Sequence, residues 1–250
     1  MRLLLVNPNM TDAMTRDMTA IARAVAGSAA EVVPLTASRG FPYIASRAEA
    51  QVAGGIALEM IAENLPGADA VIMAAFGDPG LRGARELFDL PVVGMAEAAM
   101  MSACMLGERF SIVTFSPAMQ RWYLECVADS GLMGRCTGVR TPPGHPLRID
   151  GLRETLKDDL ARLARSAVEE DGADVVILGG APLAGLAPEL APAVPGLVID
   201  PIAAATAQAM ALARVTTAAG FAGRACKPLP KPSVGLAPAL DGIIRREPLV

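Results

Sequence analysis

The residues of this chain that could do chemistry stand directly after short apolar runs. They are small or polar, and several offer an amide, a hydroxyl or bare backbone groups. Free backbone N–H groups at a strand-to-helix junction attract anions, and side-chain amides and hydroxyls add further hydrogen bonds. This pattern predicts a binding site for a small carboxylate or carbonyl compound. The predicted ligand-binding residues at these junctions are Asn7, Asn9, Ala75, Phe76, Gly77, Thr114, Phe115, Gly180, Ala181 and Pro182.

Asp78 adds a carboxylate to this set, between Gly77 and Pro79. One interpretation makes Asp78 the N-cap of a helix that begins at Pro79, because Asp is a favoured cap and Pro a favoured first helical residue. The other interpretation makes it a catalytic base that removes a proton next to a carbonyl group. The sequence leaves both interpretations open.

Three further residues could take part in acid–base chemistry or binding. His145, the single histidine, lies in Thr141–Pro146, and Tyr43 ends the comparable segment Gly40–Tyr43 in the first half of the chain. Each segment follows the second predicted strand of its half, so each could close over a site and supply an acid or a base. A solvent-exposed loop position is the alternative for His145. Arg47 could pair with a substrate carboxylate, or lie on an ordinary helix surface.

Alternating strands and helices must position these residues. Most of the predicted strands are continuous apolar runs, as in strands that are buried on both faces of a parallel sheet. Helical stretches lie between them, with start signals in Asn9 with Asp12, Ser46 with Glu49, and Ser116 before Pro117. This alternation predicts an α/β fold with a mostly parallel sheet. The predicted strands are Leu3–Val6, Glu31–Pro34, Ala70–Met73, Pro91–Gly94, Phe110–Thr114, Cys136–Arg140, Asp174–Leu178 and Leu197–Ile199.

The chain also repeats itself. Ala68–Ala75 resembles Ala173–Gly180 at an offset of 105 residues, and Leu4–Asn9 resembles Ser111–Ser116 at an offset of 107. Such a period is far longer than the roughly 20–50 residues of solenoid repeats, and it indicates two similar α/β lobes. We expect residues 1–107 and the tail 216–250 to form the first lobe, and residues 108–215 the second. Ligands bind outside the carboxyl ends of parallel strands, so lobes that face each other would bring the predicted site residues into one cleft.

Five segments, spread in order over about residues 3–210, carry a family resemblance. With them, the chain resembles the aspartate/glutamate racemase superfamily, and in particular its hydantoin and allantoin racemase branch. The stretch from Phe76 to Leu81 is the most specific. The segments are Asn7–Asn9, Phe76–Leu81, Pro91–Ala98, Arg109–Thr114 and Leu178–Gly185.

The resemblance implies two pseudo-symmetric lobes with the site between them, and neither a cofactor nor a metal. Racemases of the family use two cysteines: one thiolate removes the α-proton on one face, and the other thiol returns a proton on the opposite face. Junction N–H groups would hold the developing oxyanion. Here the two corresponding positions are Ala75 and Gly180. The resemblance therefore implies the family fold without the two-thiol mechanism. The four cysteines stand elsewhere, at Cys104, Cys126, Cys136 and Cys226.

Composition excludes several other classes. The 250 residues are 52% hydrophobic and 19% charged, which predicts a folded protein with a sizeable core. A net charge of −4, scattered basic residues and 4% aromatics argue against nucleic-acid binding. The apolar runs fall short of the roughly 20 residues that span a bilayer. The cysteines lack metal or disulfide spacing, as is typical of a reduced, cytoplasmic protein without a structural metal.

These observations predict a cytoplasmic, cofactor-independent enzyme of the isomerase type. It would act on a small carboxylate or cyclic ureide by proton abstraction next to a carbonyl, with Asp78, Tyr43 or His145 in place of the thiols. The alternatives are a decarboxylase-type lyase with the same oxyanion site, and a non-catalytic protein that kept the anion-binding cleft. We expect a small-molecule ligand and a homo-oligomer, and no nucleic-acid or membrane partner.

Overall fold

Eight strands form two four-stranded sheets in the computed structural model, which describes residues 1–144, 152–216, 220–221 and 227–246. The first sheet has the order β2–β1–β3–β4 and the second the order β6–β5–β7–β8. All neighbouring strands pair in parallel, which confirms the predicted two-lobed α/β fold. The strands are β1 Arg2–Asn7, β2 Glu31–Thr36, β3 Ala70–Met73, β4 Val92–Gly94, β5 Phe110–Val113, β6 Cys136–Arg140, β7 Val175–Leu178 and β8 Leu197–Ile199.

Helices cover both faces of the two sheets. The central strands are therefore buried on both sides, and all four residues of β3, β5 and β7 are inaccessible to solvent. This burial explains why these strands appear in the sequence as continuous apolar runs. The helices are α1 Asp12–Ala26, α2 Arg47–Asn64, α3 Leu81–Leu87, α4 Met95–Leu106, α5 Gln120–Asp129, α6 Leu152–Glu169, α7 Ala187–Leu190, α8 Pro201–Val215 and α9 Pro238–Arg245.

The last helix of each repeat packs across to the other lobe. Ala205 and Ala209 of α8 are buried against Leu3, Ile72 and Val93 of the first sheet. In the same way, α4 packs against β5 and β7 of the second sheet, and the two helices pack against each other. Small alanine side chains on both helices allow this close approach. The lobe boundaries at 107/108 and 215/216 stay a prediction, and the strands divide between the sheets at the first of them.

The C-terminal segment packs on the first lobe. Leu240 of α9 is buried in a cluster with residues of α2, β1 and β3. The backbone N–H of Ala237 donates to Glu59 of α2 at 3.3 Å, and Lys227 pairs with Asp89. Within the described ranges, none of the helices combines the length and the apolarity needed to cross a membrane.

The helix starts are partly as predicted. Ser46 caps α2, because its hydroxyl accepts the N–H of Glu49 at 3.2 Å, while the Glu49 carboxylate accepts the N–H of Ala45 at 2.6 Å. Ser116 caps the short 3-10 turn Pro117–Met119. The prediction of a capping box at Asn9 is wrong, because α1 begins only at Asp12, after Thr11. The prediction of a helix from Pro79 is also wrong, because Asp78 has a φ of +49° and α3 begins at Leu81.

Candidate functional site

The carboxyl ends of the central strands meet at a small cavity between the two lobes, here called the interlobe cavity. Its volume is about 20 Å³, which is room for a single water molecule. The first lobe lines it with Asn9, Met14, Tyr43, Ile44, Ala75 and Phe76. The second lobe lines it with Phe115, Met119, Tyr123, Gly180, Ala181 and Pro182. The strand ends of both lobes therefore converge on one site, as the repeat predicts.

Ala75 and Gly180, where the resemblance implies thiols, both line this cavity. Gly180 has a φ of +130°, a backbone conformation that suits glycine. A Cβ at position 180 would lie 2.7 Å from Cε1 of Phe115, so the phenyl ring occupies the space of a side chain there. Ala75 already carries a Cβ and is 5% exposed. The second-lobe wall is thus built around a glycine and a neighbouring phenyl ring.

The two asparagines after β1 form one buried unit. Asn7 donates its side-chain N–H groups to Oδ1 of Asn9 at 3.0 Å and to the hydroxyl of Thr15 at 2.9 Å. Oδ1 of Asn9 also accepts the N–H of Thr11 at 2.9 Å. The Nδ2 group of Asn9 donates a weak hydrogen bond to Sδ of Met14 at 3.6 Å. Since a thioether is a weak acceptor, this N–H group is available to a ligand in the cavity.

The second lobe repeats this arrangement with hydroxyls. Thr114 is fully buried and lies 3.8 Å from Sδ of Met119, and the hydroxyl of Tyr123 donates to the same sulfur at 3.2 Å. Burial raises the pKa of Tyr123 well above its ordinary value, so the phenol keeps its proton. Met14 and Met119 are 105 residues apart, two fewer than the offset of 107 between these parts of the two lobes. In each lobe, a buried N–H or O–H group therefore donates to the sulfur of a methionine in the cavity wall.

Asp78 faces away from this cavity. Its carboxylate accepts the backbone N–H groups of Ala96 and Glu97, both at 2.8 Å, and so caps the start of α4. Burial raises the pKa of Asp78 to about 7, against the lowering effect of the two N–H groups. In the second lobe, Asp200 caps α8 in the same way, with N–H groups of Ile202 and Ala203 at 2.8 and 3.2 Å. The geometry gives Asp78 a capping function, and its catalytic role stays a prediction.

Gly77, Asp78 and Arg47 line a second concavity of about 560 Å³, the polar groove, which lies between α2 and α3 of the first lobe and α5 of the second. Arg47 pairs there with Glu125 of α5 through two hydrogen bonds of 2.5 and 2.6 Å. Asp78 and Arg47 thus lie apart from Asn9 and Tyr43, which line the interlobe cavity. His145 lies outside the described residues.

Tyr43 belongs to a segment that closes over the first-lobe side of the cavity. The residue is 39% exposed. The segment is held to the β1–α1 loop, because Met10 donates its N–H to the carbonyl of Phe41 at 2.9 Å and Thr11 its hydroxyl to Pro42 at 2.6 Å. Two hydrogen bonds to main-chain carbonyls of the segment therefore place Tyr43 at the rim.

The three described cysteines do not line the interlobe cavity. Cys104 lies in α4, Cys126 in α5 and Cys136 in β6. Burial raises the pKa of Cys126 to about 12, which makes its thiolate a minor species at neutral pH. Among the residues that the structure describes, no group of His, Cys, Asp or Glu could hold a metal ion. The expected absence of a metal and of a cofactor stays a prediction.

Sequence reasoning missed Tyr123 and the two methionines. Met14 and Met119 follow the first strand of their lobe by seven and six residues, but the offset of 107 pairs Met14 with Arg121, so the repeat alone does not identify them. Tyr123 stands four residues after Met119, which is the spacing of side chains on one helix face. A tyrosine inside a helix carries no sequence signal that separates a site residue from a core residue.

Comparisons with known proteins agree with this geometry. Residues 3–209 match the Asp/Glu/hydantoin racemase family. Hydantoin racemase of Paenarthrobacter aurescens is 33% identical over 209 residues, which cover 82% of this chain and 88% of that protein. Allantoin racemase from Klebsiella pneumoniae has a solved structure that matches with a TM-score of 0.88 and 32% identity, over 96% of this chain and 98% of that one.

A more distant solved structure is that of a mutant of arylmalonate decarboxylase. It matches with a TM-score of 0.63 and 16% identity, over 86% of this chain and 94% of that one. At this identity the likeness concerns the fold alone. The family match covers residues 3–209 and so includes the strands of both lobes. This extent establishes the family. The chain belongs to the Asp/Glu/hydantoin racemase family.

Proposed function

We propose that this protein is an enzyme that removes a proton from the carbon next to a carbonyl group of a small carboxylate or cyclic ureide. It does so without a cofactor, a metal or a cysteine thiol at positions 75 and 180. The observation that carries the proposal is the interlobe cavity, where buried donors of both lobes rest on methionine sulfurs. The named hydantoin and allantoin racemases among its relatives support the ureide class.

The donors act on the charge that develops in the reaction. When a C–H bond next to a carbonyl breaks, its electron pair moves toward the carbonyl oxygen. The amide of Asn9 and the hydroxyls of Thr114 and Tyr123 would exchange their weak sulfur contacts for this oxygen. Preorganised donors in an apolar cavity stabilise such an oxyanion more strongly than water does. Asn7 holds Asn9 in place, the backbone N–H groups of Phe76, Phe115 and Ala181 would extend the site, and Pro182 adds an apolar wall.

The proton needs an acceptor in place of the thiols. Among the three predicted candidates, Tyr43 is the one that the described residues bring to the interlobe cavity. Asp78 is engaged by the start of α4, and His145 lies outside the described residues. We therefore propose Tyr43 as the first residue to test. As the acceptor, Tyr43 would act in its phenolate form, and its exposure at the rim lets it pass the proton on to solvent.

The substrate can enter the interlobe cavity only if part of the protein moves. A five-membered ureide ring is several times larger than the single water molecule for which the cavity has room. The segment with Tyr43, or the two lobes, must therefore move apart before binding and close afterwards. Such closure would exclude water from the site.

The test is α-proton exchange in D₂O, followed by proton NMR with hydantoins, allantoin, amino acids and substituted malonates. We expect deuterium at one carbon of a hydantoin or of allantoin. Tyr43→Phe, which removes only the hydroxyl, should slow the exchange about 100-fold, a typical contribution of a general base. Asp78→Asn is the comparison variant at the polar groove and should retain exchange. No exchange in any compound, with thermal stabilisation by one of them, would leave a non-catalytic binding protein.

A decarboxylase is the second candidate. The cavity walls are mostly apolar, with Phe76, Phe115 and Ile44 among them, and such walls disfavour a carboxylate and favour its loss as CO₂. The C–C bond electrons would pass to the same oxyanion site, and a proton would then add to carbon. The fold shared with arylmalonate decarboxylase is consistent with this chemistry. Release of CO₂ from a substituted malonate in the same NMR panel would favour it.

We also propose that the protein works in the cytoplasm as a homo-oligomer, with a small molecule and neither nucleic acid nor membrane as its partner. Met105 and Leu106 on α4 are 78% and 54% exposed, and such apolar exposure is typical of subunit contacts. Sedimentation of the purified protein tests the oligomer.

A further inference from the structure

The polar groove is separate from the interlobe cavity, although one loop borders both. Ala75 and Phe76 line the cavity, and the next residues, Gly77 to Gly80, line the groove. With about 560 Å³, the groove is large enough for a small organic molecule. Nothing in the proposed α-carbon chemistry uses it.

The two walls of the groove carry opposite charge. Arg47 of α2 and Arg82 of α3 stand on the first-lobe side, and Glu125 and Asp129 of α5 stand on the second-lobe side. They pair across the groove, Arg47 with Glu125 at 2.5 Å and Arg82 with Asp129 at 3.6 Å. All four side chains are at least 49% exposed, and exposed ion pairs contribute little stability. A ligand that carries both charges could replace such pairs at small cost.

Deeper in the groove the charges are already matched. Arg85 donates to the carboxylate of Glu97 from both Nη1 and Nη2, the first at 3.0 Å. The carboxylate of Asp78 is held by the start of α4. A singly charged ligand would therefore meet one wall of like charge, whereas a dipolar ligand matches both walls.

Trp122 supplies an unused donor. Its residue is 7% exposed, its ring packs on Gly77, and it lines the groove. Its indole N–H makes no hydrogen bond with the described part of the chain and is not fully enclosed, so a group in the groove can accept from it. A carboxylate oxygen in the groove would satisfy it.

We propose that the polar groove binds a small zwitterion of the α-amino acid type, with its carboxylate toward Trp122 and the arginines of the first lobe and its ammonium group toward Glu125 and Asp129. Because such a ligand contacts both lobes, its binding draws them together. The site is distinct from the interlobe cavity, so it can be occupied whether or not the cavity is catalytic.

Trp122 is the single tryptophan of the chain, so its indole N–H gives one signal in a ¹H–¹⁵N NMR spectrum. We would titrate the full-length protein with L-alanine, and separately with L-alaninamide as a cation and N-acetyl-L-alanine as an anion. The expected result is a saturable shift of the indole signal by L-alanine, with at least tenfold weaker effects of the two singly charged probes. Equal shifts by all three probes, or no shift, would overturn the proposal.

Variants locate the ligand. Asp129→Asn and Glu125→Gln should each weaken the binding of L-alanine at least tenfold. Arg39→Gln is the matched control, because Arg39 pairs with Glu59 of α2 and does not line the groove. The melting temperature of each variant without ligand shows whether it is folded. Unchanged affinity in both groove variants would contradict the assignment.

Discussion

At the residue scale, Gly180 and Ala75, where the resemblance implies thiols, have different surroundings. Gly180 combines a positive φ with the phenyl ring of Phe115 where a side chain would stand. A thiol at position 180 would require both a strained backbone and a shift of Phe115. Ala75 has no such obstacle, since it already carries a Cβ. The two positions therefore differ in how readily they could accept a cysteine.

This difference predicts the effect of a methyl group at Gly180. Gly180→Ala should lower the free energy of unfolding by about 1–3 kcal/mol, because a positive φ and a close contact both disfavour the folded state. Urea denaturation measures the loss. Gly138→Ala is the control, since Gly138 has a φ of +148° but no neighbour within 4 Å of its Cβ position.

Gly180→Ala differs from Gly138→Ala by the contact of the new methyl group with Phe115. Phe115→Leu, added to Gly180→Ala, should recover the part of the loss that exceeds the Gly138→Ala loss. Equal losses in the two alanine variants, with no recovery by Phe115→Leu, would show that the phenyl ring moves aside freely.

At the element scale, two carboxylates at different places relative to their helices each cap a helix start. Asp78 caps α4 from the loop after β3, whereas Asp200 caps α8 from the position directly before that helix. The repeated lobes thus keep the cap although the capping residue has changed its place in the sequence. A sequence pattern identifies the local cap at Asp200 and cannot identify the remote one at Asp78.

The cap predicts a pH dependence of stability. In the unfolded chain the Asp78 carboxyl titrates near its ordinary pKa of about 4, and in the folded protein near 7. Between these values the folded state binds more protons than the unfolded state, so this group's contribution to stability falls as the pH rises from about 4 to about 7. The loss should be on the order of 2 kcal/mol, given about 1.4 kcal/mol per pKa unit and partial solvent access.

Asp78→Asn isolates this contribution, because it cannot ionise. The stability of the wild type relative to Asp78→Asn, from urea denaturation at each pH, should decrease between pH 4 and pH 7 and stay level above pH 8. An increase with pH instead would mean that the two N–H groups of α4 outweigh the cost of burial and hold the pKa low.

At the scale of the whole molecule, the exchanged helices join the lobes. Each sheet is covered partly by a helix that follows the last strand of the other sheet, and Gln208 of α8 donates to Ala98 and Ser102 of α4, both at 2.9 Å. Neither lobe can bury its sheet with its own residues alone. The interlobe cavity therefore lies between two units whose hydrophobic cores share residues, and we expect them to fold together.

This dependence predicts one cooperative transition. Differential scanning calorimetry should give a single peak whose calorimetric and van't Hoff enthalpies agree. A fragment of residues 1–107, which lacks α8, should not melt cooperatively. Two resolved peaks, or a fragment with its own sharp transition, would show that the lobes fold independently.

The sequence by itself determined the strands, the two-lobed repeat and most of the cavity lining. It could do so because buried parallel strands are continuous apolar runs, and because parallel strands present their carboxyl ends at one edge. Asn9, Tyr43, Ala75 and Gly180 follow from this rule, since each lies at or near a strand end.

Only the tertiary structure decided what these residues contact. It assigned Asp78 to the start of α4, separated Arg47 from the cavity, exchanged α4 and α8 between the lobes, and added Tyr123 to the site. Each of these outcomes depends on a contact between segments far apart in the chain. Hydrophobic period and local capping signals describe neighbours in sequence, so they carry no information about which distant backbone N–H group or side chain a residue will meet.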